Sequence, residues 1–172
     1  MYKAQLIVQM LHARDEWELL INHVGLPRVG IGGVCGTWSV RDILAHISAR
    51  EQHLADRLGE IARGEAEVVC HFPTELETFL EEFGYPDFGS PLISEAEADE
   101  WVLHKYRSVA MNELVADELR AFEEILTAVR GMPEDSLNER GLARRVKQTT
   151  IEHYREHAAE IRKRFKRPLR QL

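Results

Sequence analysis

Three histidines are the residues whose type and spacing could do chemistry together. In Glu152-His153-Tyr154-Arg155-Glu156-His157 two imidazoles stand four residues apart, so on a helix they share one face and can aim nitrogens at a common point. The segment lacks the HExxH order of helix-borne zinc proteases, because the residue between the histidines that would serve as base is missing. Taken alone, such a pair reads as a solvated helix face. His46 lies elsewhere, in Ile43-Leu44-Ala45-His46-Ile47, beside an apolar stripe where an imidazole with no partner would be costly. Taken alone, it reads as a core histidine held by one hydrogen bond. Together the three residues supply the three-ligand set with an open position that catalytic metal sites keep.

The elements that must position these side chains are helical. Four long segments repeat apolar residues at helical spacing, and none sustains a strand alternation. The first spans about Tyr2 to Val24 and carries Leu6, Ile7, Met10, Leu11, Trp17, Leu20, Ile21 and Val24, with Gly25 and Pro27 ending it. The second opens on Ser39 as N-cap with Asp42 three residues on. It presents Val40, Ile43, Leu44, Ile47, Leu54, Leu58 and Ile61 before Gly64. Glu65 to Asp99 forms a long, acidic, proline-punctuated connection, in which Pro73 is placed to open a short helix through Phe83. The third helix is expected over Glu97 to Arg130, stopped by Gly131 and Pro133. The fourth is expected from Arg144–Gln148 to Lys166, with Ile151, Tyr154, Ala158, Ile161 and Phe165 as its stripe. Amphipathic helices cannot bury their faces singly. The expected fold is therefore all-α, a four-helix bundle with one long crossover between helices two and three, in a single domain over residues 1–172.

At this point the chain resembles the DinB-like helical bundles, which include metal- and thiol-dependent transferases. The resemblance rests on Trp38-Ser39-Val40-Arg41-Asp42-Ile43-Leu44-Ala45-His46-Ile47 and on His153-Tyr154-Arg155-Glu156-His157-Ala158-Ala159-Glu160-Ile161-Arg162. It implies that His46, His153 and His157 bind one divalent metal ion, nickel or zinc. It further implies transfer of a low-molecular-weight thiol, or thiol-assisted isomerisation, on a small-molecule substrate, with hydrolysis as the weaker variant. A divalent cation favours the deprotonated form of a thiol near neutral pH, ready to attack an electrophile. The connection between helices two and three is longer and more acidic than such bundles usually carry, which puts transfer of any one branch's substrate in doubt. The alternative is a noncatalytic, stress-associated binding protein with a structural metal or a small-molecule pocket, since fold alone does not name a reaction.

Other chemistry-bearing residues rank lower. His53, seven residues beyond His46, falls near the same face and suits a role beside the ligands. His12, His23, His71 and His104 have no partner at a useful spacing. Glu160 is three residues past His157, placed either to orient that ring or to stand as a surface charge, and Glu156 reads as surface. The run Gly30-Ile31-Gly32-Gly33-Val34-Cys35-Gly36 matches neither GxxxxGK[ST] nor GxGxxG, so it is a helix connection and not a phosphate cradle. Cys35 precedes the second helix, where the dipole would favour a thiolate, but a buried small residue is the simpler reading.

Composition narrows the partners. Net charge is −7, yet Arg140 to Arg170 carries about +8 and the remainder about −15. The basic segment rides on a helix end, where cations complement the dipole, and the acidic remainder repels phosphate; no nucleic-acid partner is expected. No apolar run reaches the roughly 20 residues that span a bilayer, and Met1-Tyr2-Lys3-Ala4 leads straight into an amphipathic pattern instead of a secretory signal. Cys35 and Cys70 sit in no CxxC arrangement and suit a reducing cytoplasm. The apolar residues of the long connection suit a homodimer contact.

Overall fold

Tyr2 is extended and its carbonyl accepts from the Leu6 amide at 3.1 Å, which starts α1, Lys3–Val24. In this computed structural model, residues 2–64, 95–138 and 141–165 are described. The buried face of α1 is Leu6, Met10, Ala13, Arg14, Trp17 and Val24. It is turned from the expected stripe: Leu11 is exposed, and Arg14, a cation, is inside. Gly25, at φ +72°, ends the helix by donating its amide to Ile21 at 3.0 Å, a backbone position that glycine adopts without steric cost. Pro27 then sits in the first turn of the short α2, Leu26–Val29. Arg28 folds back on α1, where its guanidinium donates to the terminal carbonyls of Val24, at 2.7 Å, and His23.

The glycine-rich run closes as a tight turn, with the Val34 amide on the Trp38 carbonyl at 2.8 Å and the Trp38 amide on Cys35 at 2.9 Å. A side chain at Gly32 would meet the Thr37 carbonyl at 3.0 Å, so the turn needs glycine there. The next helix, α3, covers Val40–Arg63. Its start is a reciprocal cap. The Ser39 amide donates to Asp42 at 2.8 Å, and the Asp42 amide donates to the Ser39 hydroxyl at 3.2 Å. Both free amides of the helix mouth are thereby met, as the Ser39–Asp42 spacing predicts.

The expected third helix is two. The first, α4, spans Glu95–Tyr106, and the second, α5, spans Met111–Gly131, after an extended Ala110. The expected single helix over Glu97–Arg130 is thus corrected, and so is the end of the long connection, since Glu95 to Asp99 are helical. The break has a phase reason. Val102 and Leu114 are both fully buried. At about 100° per residue they would stand roughly 120° apart on one straight helix, so the break lets each piece turn its own residues inward. The remainder of the connection, including the expected short helix from Pro73 to Phe83, lies outside the described residues.

After α5 come a short α6, Glu134–Asn138, and α7, Leu142–Lys147, preceded by Gly141 at φ +79°. A π-helical turn, Gln148–Glu152, leads into α8, His153–Phe165. The fourth helix therefore begins earlier than expected and carries an irregularity that periodicity does not announce. Among the described residues the structure is all-helical, with only an isolated bridge between Cys35 and Trp38. No described helix is long and apolar enough to cross a membrane.

The chain divides into two compact units, Met1–Leu44 with Pro133–Leu172, and Ala45–Met132. In the first, α1 packs on α8 through Trp17 and Tyr154, whose rings stack at 5.4 Å with 6° between their planes. Arg14 Nη1 donates to the Tyr154 hydroxyl at 3.1 Å, and its Nε donates to Glu18 at 2.7 Å. This is how a cation comes to lie inside: both ends of its charge have a partner. In the second unit the apolar core is formed by Ile47, Leu54 and Leu58 of α3, Val102 of α4, and Leu114, Phe122, Ile125 and Val129 of α5. Gln52 of α3 also donates to Glu124 of α5 at 3.2 Å.

Trp17→Ala is expected to destabilise the protein by about 3–5 kcal/mol, through the cavity it leaves beside Tyr154. Tyr154→Phe should cost about 1 kcal/mol, the hydrogen bond alone. Urea denaturation followed by circular dichroism measures both, and equal losses would show that the hydroxyl, not the ring, carries this packing.

Candidate metal centre

His153 and His157 open α8 on the face that also carries Tyr154, Ala158 and Ile161. Their Nε2 atoms stand 3.1 Å apart, with the rings tilted at 54°. Two imidazole nitrogens on one tetrahedral zinc, at about 2.0–2.1 Å each, would be separated by about 3.3 Å, so the pair already has the span of two ligands on one ion. His157 is buried and His153 half-buried. His157 Nδ1 lies 2.8 Å from Glu160 Oε2. A carboxylate accepts, so Nδ1 donates the proton and Nε2 carries the lone pair. Glu160 therefore orients the ring, and its reading as a mere surface charge is corrected. Glu156 is exposed, as expected.

The turn that delivers this pair is the π segment. Thr150, fully buried, donates its hydroxyl to the Val146 carbonyl at 2.8 Å. Such a bond to the preceding turn competes with the regular ladder and widens it, and π turns of this kind recur beside functional residues. The extra residue shifts the phase of everything after it, including both histidines. Lys147 and Glu152, at the two ends of the widened turn, pair at 3.3 Å.

In the other unit His46 is buried on α3, and its Nδ1 lies 2.7 Å from Asp99 Oδ1 of α4. The same logic applies: the carboxylate accepts, so a cation would be met by Nε2. Arg50, one turn along α3 from His46, has Nη2 at 3.6 Å from the same Asp99 oxygen. Asp99 is the residue that sequence reading missed. It belonged to an acidic connection, 53 residues from its partner, and no local spacing ties the two together.

His46, His153 and His157 each offer one ring nitrogen, and these three atoms all lie within 4.8 Å of one another. Three imidazoles, two of them oriented by carboxylates, are a donor set that could hold a metal ion. Of the other histidines, His53 is buried on α3 but does not join the group, and His12, with side-chain exposure of 70%, stands 3.6 Å from Glu16. His23 and His104 are exposed, in keeping with a solvated role. His71 and Cys70 lie outside the described residues. Cys35 is half-buried in the glycine turn.

Two further titratable groups sit on α4. Burial pushes the Tyr106 phenol above its usual range, against the opposing hydrogen bond with Ser48, so it is a neutral hydroxyl at neutral pH. Burial lowers the Lys105 ammonium, while Asp117 acts to raise it.

No family model, curated protein or solved structure matches the chain.

Thr150→Ala, which removes the bond to the Val146 carbonyl, is expected to cost about 1 kcal/mol. It should also let the Gln148–Glu152 turn relax toward regular α-helix, read as a change in the histidine Nε2 and Hε1 NMR shifts of His153 and His157. Unchanged shifts would show that the hydroxyl does not hold the widened turn.

Proposed function

We propose that the protein binds one divalent metal ion through His46, His153 and His157, and that it acts as a metal-dependent transferase of a low-molecular-weight thiol. The observation that carries the metal reading is the gathering of three imidazole nitrogens within 4.8 Å. The transferase reading is supported by the resemblance of the Trp38–Ile47 and His153–Arg162 segments to DinB-like bundles. It includes a four-helix bundle with one long crossover, whose four long members would be α1, α3, α5 and the α7–α8 stretch.

His46, His153 and His157 would hold the cation, which would supply a Lewis acid able to lower the pKa of a thiol near neutral pH. The chain's own residues do the preparatory work. Glu160 holds His157 in one tautomer, and Asp99 does the same for His46. His153 and His157 come from successive turns of one helix, so their separation is set by backbone geometry and not by flexible loops. Three protein ligands leave room in the coordination sphere for a substrate atom.

Protein purified without chelator is expected to contain about one equivalent of nickel or zinc, and His46→Ala and His157→Ala should each abolish or strongly reduce it. Elemental analysis of the three proteins provides the check. Equal metal content in all three would remove the site. For the reaction, the metal-loaded protein is incubated with cysteine, glutathione and related thiols plus an electrophilic acceptor, and free thiol is followed with time. Consumption that vanishes on chelation supports the transferase. Metal uptake without thiol consumption leaves a noncatalytic metal-binding protein.

A further inference from the structure

His46 and Arg50 lie one turn apart on α3, so both meet α4 at the same place, and that place is Asp99. The two contacts fall on a single oxygen: Oδ1 is 2.7 Å from His46 Nδ1 and 3.6 Å from Arg50 Nη2. The first is a hydrogen bond by distance and the second only an ion pair. We infer that Asp99, steered by Arg50, is the positioning residue that makes His46 a ligand. This rests on the metal-binding reading of His46, and it adds which residues outside the ligand set govern how well the ion is held.

An imidazole coordinates through a nitrogen lone pair, so its proton must sit on the other nitrogen and the ring must keep its rotation. An ionised carboxylate can only accept, and on Nδ1 it meets both needs at once. Arg50, a cation 3.6 Å from the same oxygen, holds the carboxylate against α3. The side chains of Asp99 and Arg50 are 17% and 20% exposed, so neither charge is fully screened by water. Asp99 also arrives from a different helix. Its position is therefore set by packing of α4, whose Ala98 and Val102 are buried on either side of it in sequence.

His157 has the weaker version of this support. Glu160 comes from the same helix, three residues on, and its side chain is 38% exposed, so solvent competes for its oxygens. Among the described residues no arginine is paired with it. The two carboxylates should therefore differ in effect, Asp99 being the larger.

A purely structural salt bridge makes a different forecast. Removing one member of a largely buried Arg–Asp–His group destabilises the fold, because the remaining charge is left uncompensated. If stability is its only role, its loss should show in the metal-free protein and leave the metal affinity of the folded fraction alone.

The test is competition for zinc between the protein and a chromophoric chelator. It covers wild type, Asp99→Ala, Asp99→Asn, Arg50→Met, Arg50→Lys and Glu160→Gln, with urea denaturation of each metal-free protein alongside. Asp99→Ala is expected to weaken zinc binding by about 10- to 100-fold. Asp99→Asn, which keeps an acceptor oxygen and loses the charge, should fall between it and wild type. Arg50→Met should weaken binding by less than Asp99→Ala, Arg50→Lys should restore it, and Glu160→Gln should cost less than Asp99→Ala. Should Asp99→Ala fail to fold, the isosteric Asn variant carries the comparison. Wild-type zinc affinity in folded Asp99→Asn and Arg50→Met overturns the inference while leaving the three-histidine site standing. A wild-type protein that takes up no zinc or nickel overturns both.

Discussion

Tyr154 lies face to face with Trp17 and accepts a hydrogen bond from the buried Arg14, and the rotation of α8 about its own axis depends on that clamp. A helix with a single apolar stripe can roll by tens of degrees at little cost. A ring stacked on one partner and bonded through its hydroxyl to another cannot. His153 precedes Tyr154 and His157 follows it by three residues, so the direction of both imidazoles is inherited from this contact. The π turn just before α8 adjusts the phase once more, by one residue, and the buried Thr150 hydroxyl on Val146 is the local device that accompanies it.

The histidines share a second constraint. An imidazole near an apolar core must have its N–H met, and an imidazole meant for a cation must have that N–H on the nitrogen facing away. Carboxylates on Nδ1 satisfy both conditions, and they do so twice: Glu160 on His157 within one helix, and Asp99 on His46 across two. The first is a product of helical periodicity. The second depends on a helix break, because α4 and α5 present their buried residues at different phases. Without the interruption after Tyr106 the two helices could not each turn their own apolar residues inward, and α4 is the helix that carries Asp99.

Local rules account for most of what was legible. Apolar spacing and terminator residues located the first two long helices, Ser39 and Asp42 announced their reciprocal cap, and Gly25 and Gly64 mark backbone positions at positive φ. These features depend on neighbours within a few residues, and such neighbours are visible in a string of letters. The rotation of α1 was not visible, because no local spacing announces that Arg14 is met by Tyr154, 140 residues away. Nor was the break at Arg107–Ala110, which contains neither glycine nor proline.

The sequence by itself determined that the chain is helical, which three histidines could act together, and that two of them share a helix face, all of which follow from periodicity and residue chemistry. Tertiary structure alone decided that Asp99 orients His46 and that Arg50 shares its oxygen. The physical reason is range. Helix formation and capping are settled by contacts a few residues apart, whereas a proton held on one nitrogen of His46 depends on a carboxylate 53 residues away that only packing brings near.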